Sequence, residues 1–278
     1  MKGKLYSVAT PIGYLADISL RVLEVLKDVD LIAAEDTRHT KKLLNHFDIN
    51  TPLTSYYEHK KREKGEFVLQ KLIDGKNIAL VSDAGMPGIS DPGEDLVRLC
   101  IENNIELTVI PGATAFAVAL VMSGLSTSCF RFEGFLTVKK TGRLAKLEQL
   151  KSEKSTLIFY EAPHKLLRTL NDFLDVFGDR KIAVCRELTK KYEEILRDNT
   201  SNIISHFEQI PPKGEFIIVV QGATETKPIE FEQTAAQMVE NLINSKGIDK
   251  KEAIKQVAKQ RGIPKREVYN EVTNTKFN

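Results

Sequence analysis

The sequence predicts an α/β protein of two α/β domains, a parallel sheet followed by a mixed sheet, with a cleft between them and a small C-terminal helical module. Apolar runs alternate with amphipathic helical stretches over residues 5–110, the pattern of βαβ units. The alternation resumes after residue 113, and hairpin-like spacing around residues 195–207 indicates antiparallel pairing. We therefore expect α/β domains over residues 1–112 and 113–223, then a linker and helical module over residues 224–278.

The period of the apolar residues predicts each element of the two domains. In the first domain we expect strands at residues 5–9, 30–34, 78–82 and 107–110, and helices at residues 20–26, 40–46 and 67–73. In the second we expect strands at residues 130–135, 155–160, 181–185 and 215–220, and helices at residues 113–123 and 166–177.

The C-terminal segment has the pattern of two short helices that form a helix-turn-helix. Gly262 interrupts the first helix, and Pro264 suits the first turn of the second. Residues 246–266 contain eight Lys or Arg against Asp249 and Glu252. Such a segment is either a solvated helical face or a surface for nucleic-acid phosphates, and we favour the second interpretation. Residues 224–234 are polar and aperiodic, which is typical of a linker.

The composition is that of an ordinary globular protein. The chain has 278 residues, 42% of them hydrophobic, and a net charge of +2, so no global charge excess requires a nucleic-acid partner. Its three cysteines, Cys100, Cys129 and Cys185, indicate buried thiols in a reducing compartment. We expect no leader peptide and no membrane contact, since the longest apolar stretch, residues 113–125, is too short to span a bilayer. A cytoplasmic protein is therefore expected.

The loop at residues 83–93 is the most informative segment of the chain. It contains three glycines and two prolines between a buried strand and a helix, whereas most such loops have only about two to six residues. Glycine lets a ligand approach the backbone, and proline fixes the shape of the turn. At the carboxyl end of a strand, this composition predicts a ligand-binding loop rather than a plain turn.

Four other polar clusters follow predicted strands, at residues 10–13, 35–39, 160–164 and 186–188. Each cluster alone could be a helix cap or a surface ion pair. Together they indicate that the strand ends of both sheets face one cleft, rich in carboxylates and cations.

Several familiar sites are missing from the sequence. The first loop has a single glycine, Gly13, and so lacks the dinucleotide-binding fingerprint. There is no phosphate-binding loop ending in Gly-Lys-Ser/Thr and no Gly-x-Ser-x-Gly elbow. The five histidines lack metal-ligand spacing, so we expect no metal site. Hydride, phosphoryl and acyl transfer are therefore disfavoured.

These motifs resemble the ribosomal RNA small subunit methyltransferase I family, which belongs to the tetrapyrrole methylase-like class of S-adenosylmethionine enzymes. The resemblance covers residues 4–222 and, for the C-terminal module, residues 253–272. The motifs that carry it are residues 10–13, 34–38, 82–93, 109–112, 160–164 and 186–190. The resemblance implies 2′-O-methylation of a cytidine ribose in the decoding region of small-subunit (16S) rRNA, by a homodimer that acts on the RNA or the assembled subunit.

The resemblance also implies that S-adenosyl-L-methionine lies between the two α/β domains. Carried over by motif, the cofactor-binding residues are Pro11, Asp83, Gly85, Met86, Ile89, Ala113, Thr114, Tyr160 and Gly214. The family commonly has arginine where this chain has Lys165, and a lysine grips a phosphate less specifically.

Methyl transfer to a ribose hydroxyl needs a group that accepts the hydroxyl proton. The candidate catalytic residues at the predicted cleft are Glu35, Asp36, Arg38, Glu161, His164 and Glu187. We favour a carboxylate of the Glu35–Asp36 pair as the base. Arg38 either serves the reaction or forms a structural ion pair with one of the two.

RNA binding needs cations outside the cleft. We expect Lys139, Lys140, Arg143, Lys165, Lys265 and Arg266 to contact phosphates. The basic stretch at residues 59–62 is a second candidate patch.

Two other functions compete with this hypothesis. A methylase of a small tetrapyrrole would fit the cofactor loop but leaves the basic C-terminal module unexplained. A ligand-sensing DNA-binding regulator would use the helix-turn-helix, but loops this rich in carboxylates suit catalysis better.

Overall fold

A five-stranded parallel sheet occupies the first half of the chain. The protein is described from a computed structural model, which covers residues 1–57, 61–224, 233–261 and 264–274. The strand order is β3-β2-β4-β1-β5, and every neighbouring pair is parallel, as predicted. The strands are β1 (Lys4–Val8), β2 (Leu31–Ala34), β3 (Leu53–Ser55), β4 (Ile78–Val81) and β5 (Glu106–Ile110).

Helices cover both faces of this sheet, which is why its central strands are apolar throughout rather than alternating. All four residues of β4 are buried. The helices are α1 (Leu20–Asp28), α2 (Thr37–His46), α3 (Lys61–Ile73) and α4 (Glu94–Glu102). The predicted elements are present here. The short strand β3 was not predicted, because an alternation of apolar and polar residues cannot be recognised over three half-buried residues.

The second sheet is mixed, as predicted, with the order β6-β7-β10-β8-β9. Only β6 and β7 are parallel, and the other three pairs are antiparallel. Its strands are β6 (Phe130–Phe135), β7 (Thr156–Glu161), β8 (Lys181–Arg186), β9 (Glu194–Asn199) and β10 (Phe216–Val220). Its helices are α5 (Ala115–Ser123), α6 (Lys140–Leu150), α7 (Pro163–Phe177) and α8 (Thr200–Gln209).

The hairpin predicted around residues 195–207 is wrong in its second half. Strand β9 pairs with β8, but the chain then turns into helix α8. The buried residues Ile203, Ile204 and Phe207 lie on one side of that helix. These buried residues recur with the 3.6-residue period of a helix, whereas the prediction treated the segment as a strand, whose side chains alternate every two residues.

The two sheets belong to one compact unit, Met1–Ala223. Ile12, which follows β1 of the first sheet, packs in the same apolar cluster as Ile158 and Ile217 of the second. The loops at the strand ends of both sheets therefore meet within a continuous core.

The remaining residues, Thr224–Asn278, form a separate unit. Its helices are α9 (Ala235–Lys246), α10 (Lys250–Arg261) and α11 (Lys265–Asn274), packed around the buried side chains of Val239, Val257 and Val268. Helix α9 was not predicted; a capping box formed by Thr234 and Gln237 opens it. The predicted glycine turn at Gly262 and most of the predicted linker lie outside the described residues.

No helix in the described ranges has the length and apolar character needed to cross a bilayer. The three cysteines are free, and Cys100 and Cys185 are buried.

Candidate functional site

The loop between β4 and α4 is held in a fixed shape by the loop after β1. Thr10 and Gly85 exchange two backbone hydrogen bonds, with N–O distances of 2.9 and 3.0 Å. Gly85 has a φ of 79°, and Gly93 has a φ of 143° while packing closely on Leu80 and Gly88. These conformations favour glycine, which explains why the loop uses it repeatedly. The result is a loop whose backbone shape is fixed by its own packing and by the loop after β1.

This loop forms one wall of a cleft of about 340 Å³ within the unit Met1–Ala223. Both sheets contribute to the cleft through the loops at their strand ends. The lining residues are Ile12, Asp83, Ala84, Gly85, Met86, Ile89, Ser90, Asp91, Thr114, Ala115, Phe135, Tyr160, Glu161, Ala162, Pro163, Cys185, Glu187, Leu188, Lys190, Glu215, Phe216 and Ile217. A cleft of this size, apolar with a few convergent charges, is typical of a small-molecule site.

An aromatic pair forms the wall of the cleft that belongs to the second sheet. Phe135 and Tyr160 pack edge to face with their ring centroids 5.5 Å apart. Burial raises the pKa of the Tyr160 hydroxyl to about 12, so it stays protonated and can donate a hydrogen bond. This wall offers a rigid apolar surface with one polar atom.

The charged lining of the cleft is mainly acidic. It contains five carboxylates against one cation, Lys190. The Lys190 ammonium bridges Glu187 and Glu215, at 3.2 and 2.8 Å. Carboxylates thus outnumber cations in the lining, which favours a ligand with positive charge.

Asp91 is a lining carboxylate with a strongly raised pKa. Burial raises its pKa to about 7, and the neighbouring charges of Glu35 and Asp83 act in the same direction. Its side chain is half-buried and lines the cleft. Asp91 lies within the loop that the sequence singled out, but it was not among the candidate catalytic residues.

The favoured pair of bases lies outside the cleft lining. The Asp36 carboxylate caps helix α2 by accepting from the Arg38 N–H, at 2.8 Å. It also pairs with the Arg38 guanidinium at 2.6 Å, which holds the pKa of Asp36 well below its usual range. Glu35 accepts from the backbone N–H of Asp83 at 3.3 Å. Arg38 thus forms the ion pair that was one of the two roles expected for it.

The other candidate catalytic residues differ in their positions. Glu161 lines the cleft but is buried, and it accepts a 2.5 Å hydrogen bond from the Thr169 hydroxyl. Glu187 lines the cleft and accepts from Lys190 and from the Glu215 N–H. Although burial raises the pKa of Glu187, these hydrogen bonds outweigh it and bring the pKa below its ordinary value. His164 is exposed on the first turn of α7, outside the lining.

Most of the residues predicted to bind the cofactor lie together. Those that line the cleft are Asp83, Gly85, Met86, Ile89, Thr114 and Tyr160. Pro11 and Ala113 are chain neighbours of lining residues but do not line the cleft themselves. Gly214 does not line the cleft; it has a φ of 92°, and a Cβ there would approach the Glu187 side chain to 2.6 Å.

The expectation that Arg143 contacts RNA is wrong. Its side chain is only 1% exposed, and its guanidinium lies 2.5 Å from the buried Asp172 carboxylate. It also donates to the carbonyl of Val138 at 3.0 Å. The sequence showed a basic run on α6, but only the packing of α6 against α7 shows which cation is enclosed.

The other predicted RNA contacts are accessible. Lys139 and Lys140 are exposed at the start of α6, Lys165 is half-buried on α7, and Lys265 and Arg266 are exposed at the start of α11. In the candidate patch at residues 59–62, the first two residues lie outside the described range, and the other two begin helix α3.

The second unit has a basic cleft of its own between the first turns of α10 and α11. Its lining contains five cations and two carboxylates around an exposed tyrosine, Tyr269. The Lys250 ammonium lies 5.8 Å from the centre of the Tyr269 ring. The cations are Lys250, Lys251, Lys255, Lys265 and Arg266.

Comparison with known proteins defines the class of protein first. The family model for tetrapyrrole (corrin/porphyrin) methylases matches residues 4–204. The crystal structure of uroporphyrin-III C-methyltransferase from Thermus thermophilus, complexed with S-adenyl homocysteine, aligns with a TM-score of 0.56. It is 16% identical, and the alignment covers 78% of this chain and 97% of that chain. At that identity the likeness concerns the fold alone.

Full-length relatives define the family within this class. Ribosomal RNA small subunit methyltransferase I of Halalkalibacterium halodurans is 51% identical over 273 residues, 97% of this chain and 94% of the relative. The protein of the same description in Thermotoga maritima is 46% identical over 220 residues, 79% of this chain and 99% of the relative. The chain belongs to the ribosomal RNA small subunit methyltransferase I family.

Proposed function

We propose that the protein transfers a methyl group from S-adenosylmethionine to the 2′-hydroxyl of a cytidine ribose in small-subunit (16S) rRNA. The observation that carries this proposal is the 51% identity over nearly the whole chain to a ribosomal RNA small subunit methyltransferase I. The acidic cleft within Met1–Ala223 and the basic cleft of the second unit supply the two kinds of surface that such an enzyme needs.

The cleft of the first unit fits the cofactor in size and in charge. S-adenosylmethionine has an adenosine, which suits the apolar wall of Phe135 and Tyr160, and two positive groups, which suit an acidic lining. Asp83 would face the positive end, and the backbone of Gly85, which lines the cleft, would allow close contact. A structure of the same fold that contains the demethylated cofactor supports this assignment.

The residues of the cleft have three tasks in the reaction. When bound, the cofactor supplies an electrophilic methyl group on a sulfonium. The loop at residues 83–93, fixed by its hydrogen bonds to the loop after β1, would hold the cofactor in one position, so that the acceptor hydroxyl can approach its methyl group. The aromatic wall excludes water from one side, and a carboxylate of the lining accepts the hydroxyl proton.

RNA would be bound by cations outside the cleft, which neutralise phosphates without reading bases. Lys139, Lys140, Lys165, Lys265 and Arg266 remain the proposed contacts, without Arg143. In the second unit, a base could stack on the exposed ring of Tyr269 while the surrounding cations hold the backbone.

We further propose a homodimer that acts in the cytoplasm. Helix α5 presents Val121 and Met122 to solvent at 72% and 40% exposure, and Phe130 at the start of β6 is 44% exposed. Such apolar side chains are typical of a surface that another protein covers. The three free cysteines fit a reducing compartment. Sedimentation at micromolar concentration should give twice the 31.3 kDa mass of one chain.

The proposal is tested by methyl incorporation from labelled S-adenosylmethionine into small subunits, naked rRNA and a tetrapyrrole precursor in parallel. Label in small-subunit RNA that survives alkali as a resistant dinucleotide is expected, because a 2′-O-methyl group blocks hydrolysis of the neighbouring bond. Label confined to the tetrapyrrole would overturn the substrate. Removal of residues 228–278 separates the enzyme from a DNA-binding regulator: a methylase should keep cofactor binding, whereas a regulator should lose all of its function.

A further inference from the structure

The groups that could accept a proton in the cleft are mostly committed to other contacts. Glu161 accepts from Thr169, and Glu187 accepts from Lys190 and the Glu215 backbone. The donors to Glu187 stabilise its ionised form and bring its pKa below the ordinary value, so Glu187 is a weaker acceptor for a substrate proton.

The two residues first favoured as bases are also committed, and they lie outside the lining. Asp36 holds the first turn of α2 and the Arg38 guanidinium. Glu35 accepts from the Asp83 N–H.

Asp91 differs from all of these. It lines the cleft, it is half-buried, and no residue that the structure describes donates a hydrogen bond to its carboxylate. Its backbone is fixed by neighbours in unusual conformations: Ser90 has a φ of 62° and Gly93 a φ of 143°. Strain of this kind in a non-glycine residue clusters at functional sites.

The charged and titratable groups around Asp91 come from three elements. Glu35 follows β2, Asp83 follows β4, and Tyr160 lies in β7, one residue before its end. Each of the three interacts electrostatically with Asp91. The first two repel a negative charge on Asp91, and Tyr160 is a neutral phenol at neutral pH. None of the three is a cation that would hold the carboxylate ionised.

We propose that Asp91 is the general base of the methyl transfer, the group that accepts the ribose 2′-hydroxyl proton. This inference rests on the proposed function and adds the catalytic residue that the proposed function leaves open. In the step, the bond between the 2′-oxygen and the methyl carbon forms as the methyl–sulfur bond breaks, and the electron pair of that bond stays on sulfur. The hydroxyl proton moves to the Asp91 carboxylate, which later releases it to water.

The protonation behaviour of Asp91 suits this role. Burial and the charges of Glu35 and Asp83 raise its pKa to about 7, where a base is ionised often enough to act and basic enough to accept a proton. The reaction rate should therefore fall as the pH drops below about 7, because the protonated carboxyl cannot accept.

The test compares Asp91→Asn with Asp36→Asn and with Glu94→Gln as the matched control. Glu94 is an exposed carboxylate three residues further along the chain, outside the cleft lining. We expect Asp91→Asn to lower kcat on small subunits about 10²–10⁴-fold and to keep cofactor affinity within a fewfold. The residual rate of this variant should no longer fall as the pH drops below about 7, which is the acid limb of the wild-type pH profile. Glu94→Gln should match the wild type.

A second readout needs neither cofactor nor RNA. In the free wild-type protein, part of the infrared C=O band of protonated carboxyl groups should disappear with a midpoint near pH 7, as Asp91 ionises. This component of the band should be missing in Asp91→Asn.

The outcomes separate this inference from the proposed function. If the wild type and Glu94→Gln methylate small-subunit RNA and Asp91→Asn does so at the same rate, Asp91 is not the base. If Asp36→Asn alone loses the acid limb, the base lies after β2. If even the wild type leaves the RNA unlabelled, the proposed function fails, whatever the infrared band shows.

Discussion

The two clefts of this protein hold charge in opposite ways. The cleft of Met1–Ala223 is acidic, and its Asp91 carboxylate is half-buried, so the protonation of Asp91 depends on its neighbours. The cleft of the second unit is basic, and Lys265, Arg266 and Tyr269 lie exposed to water. Buried charges interact strongly and individually, whereas exposed charges act weakly, additively and under screening by salt. The first arrangement suits chemistry and the second suits RNA binding.

The largest expected effect is on the free energy of unfolding and concerns Arg143, the buried cation of helix α6. Arg143→Ala should lower the free energy of unfolding by about 3–5 kcal/mol, because it leaves Asp172 as a buried charge without its partner. Urea denaturation measures this difference. Lys140→Ala on the same helix should change it by less than about 0.5 kcal/mol. Equal stability of the two variants would contradict the assignment of Arg143 to the core.

The next effect tests whether the exposed ring of the second unit binds RNA. Tyr269→Leu should weaken RNA binding by about 1–3 kcal/mol, because stacking of a base on the ring is lost. Fluorescence anisotropy with a single-stranded RNA measures the affinity. Tyr269→Phe keeps the ring and should bind as the wild type does. If the phenylalanine variant is as weak as the leucine variant, the hydroxyl rather than stacking is responsible.

A smaller effect concerns the stability of the acidic cleft. The pKa of Asp91 in the folded protein, about 7, lies well above the ordinary value of an aspartate, 3.8. Ionisation therefore opposes folding, and stability should fall as pH rises from about 4 to about 7. Above that range, Asp91→Asn should be more stable than the wild type by roughly 1–2 kcal/mol, after allowance for partial exposure to water. Thermal unfolding at pH 5 and pH 8 measures this, and a variant less stable at pH 8 would indicate a structural role instead.

The smallest effect is expected at the exposed lysines of α6. Lys139→Ala with Lys140→Ala should weaken RNA binding modestly and reduce the slope of log K against log salt by about 0.7 for each lost phosphate contact. Titrations at several salt concentrations measure the slope. Cofactor affinity should not change, and an unaltered salt slope would remove these residues from the RNA surface.

Much of the fold could be predicted from the sequence because the relevant patterns are local. The buried run of β4 and the glycines and prolines after it predicted both the parallel sheet and the cleft wall. Resemblance to a family then placed Asp83, Gly85 and Thr114 at the cofactor, and these residues do line the cleft. Strand β3 was missed because it is too short to show a period, and the segment of helix α8 was wrongly predicted as part of a hairpin.

The site was predicted less well, because its chemistry depends on distances through space. Asp36 and Asp91 are both aspartates after a strand of the same sheet. One pairs with Arg38 and caps a helix, and its pKa falls; the other faces Glu35 and Asp83, and its pKa rises. Arg38 is near Asp36 in sequence, whereas Glu35 lies 56 residues before Asp91.

The sequence by itself determined the class of fold, the strand-end loops and the two C-terminal helices, since each follows from spacing within one short segment. The tertiary structure alone decided that Arg143 is enclosed by Asp172 and that Asp91 lies in the cleft among other carboxylates. Burial and charge interactions act across space between residues far apart in the chain, and no local pattern encodes them.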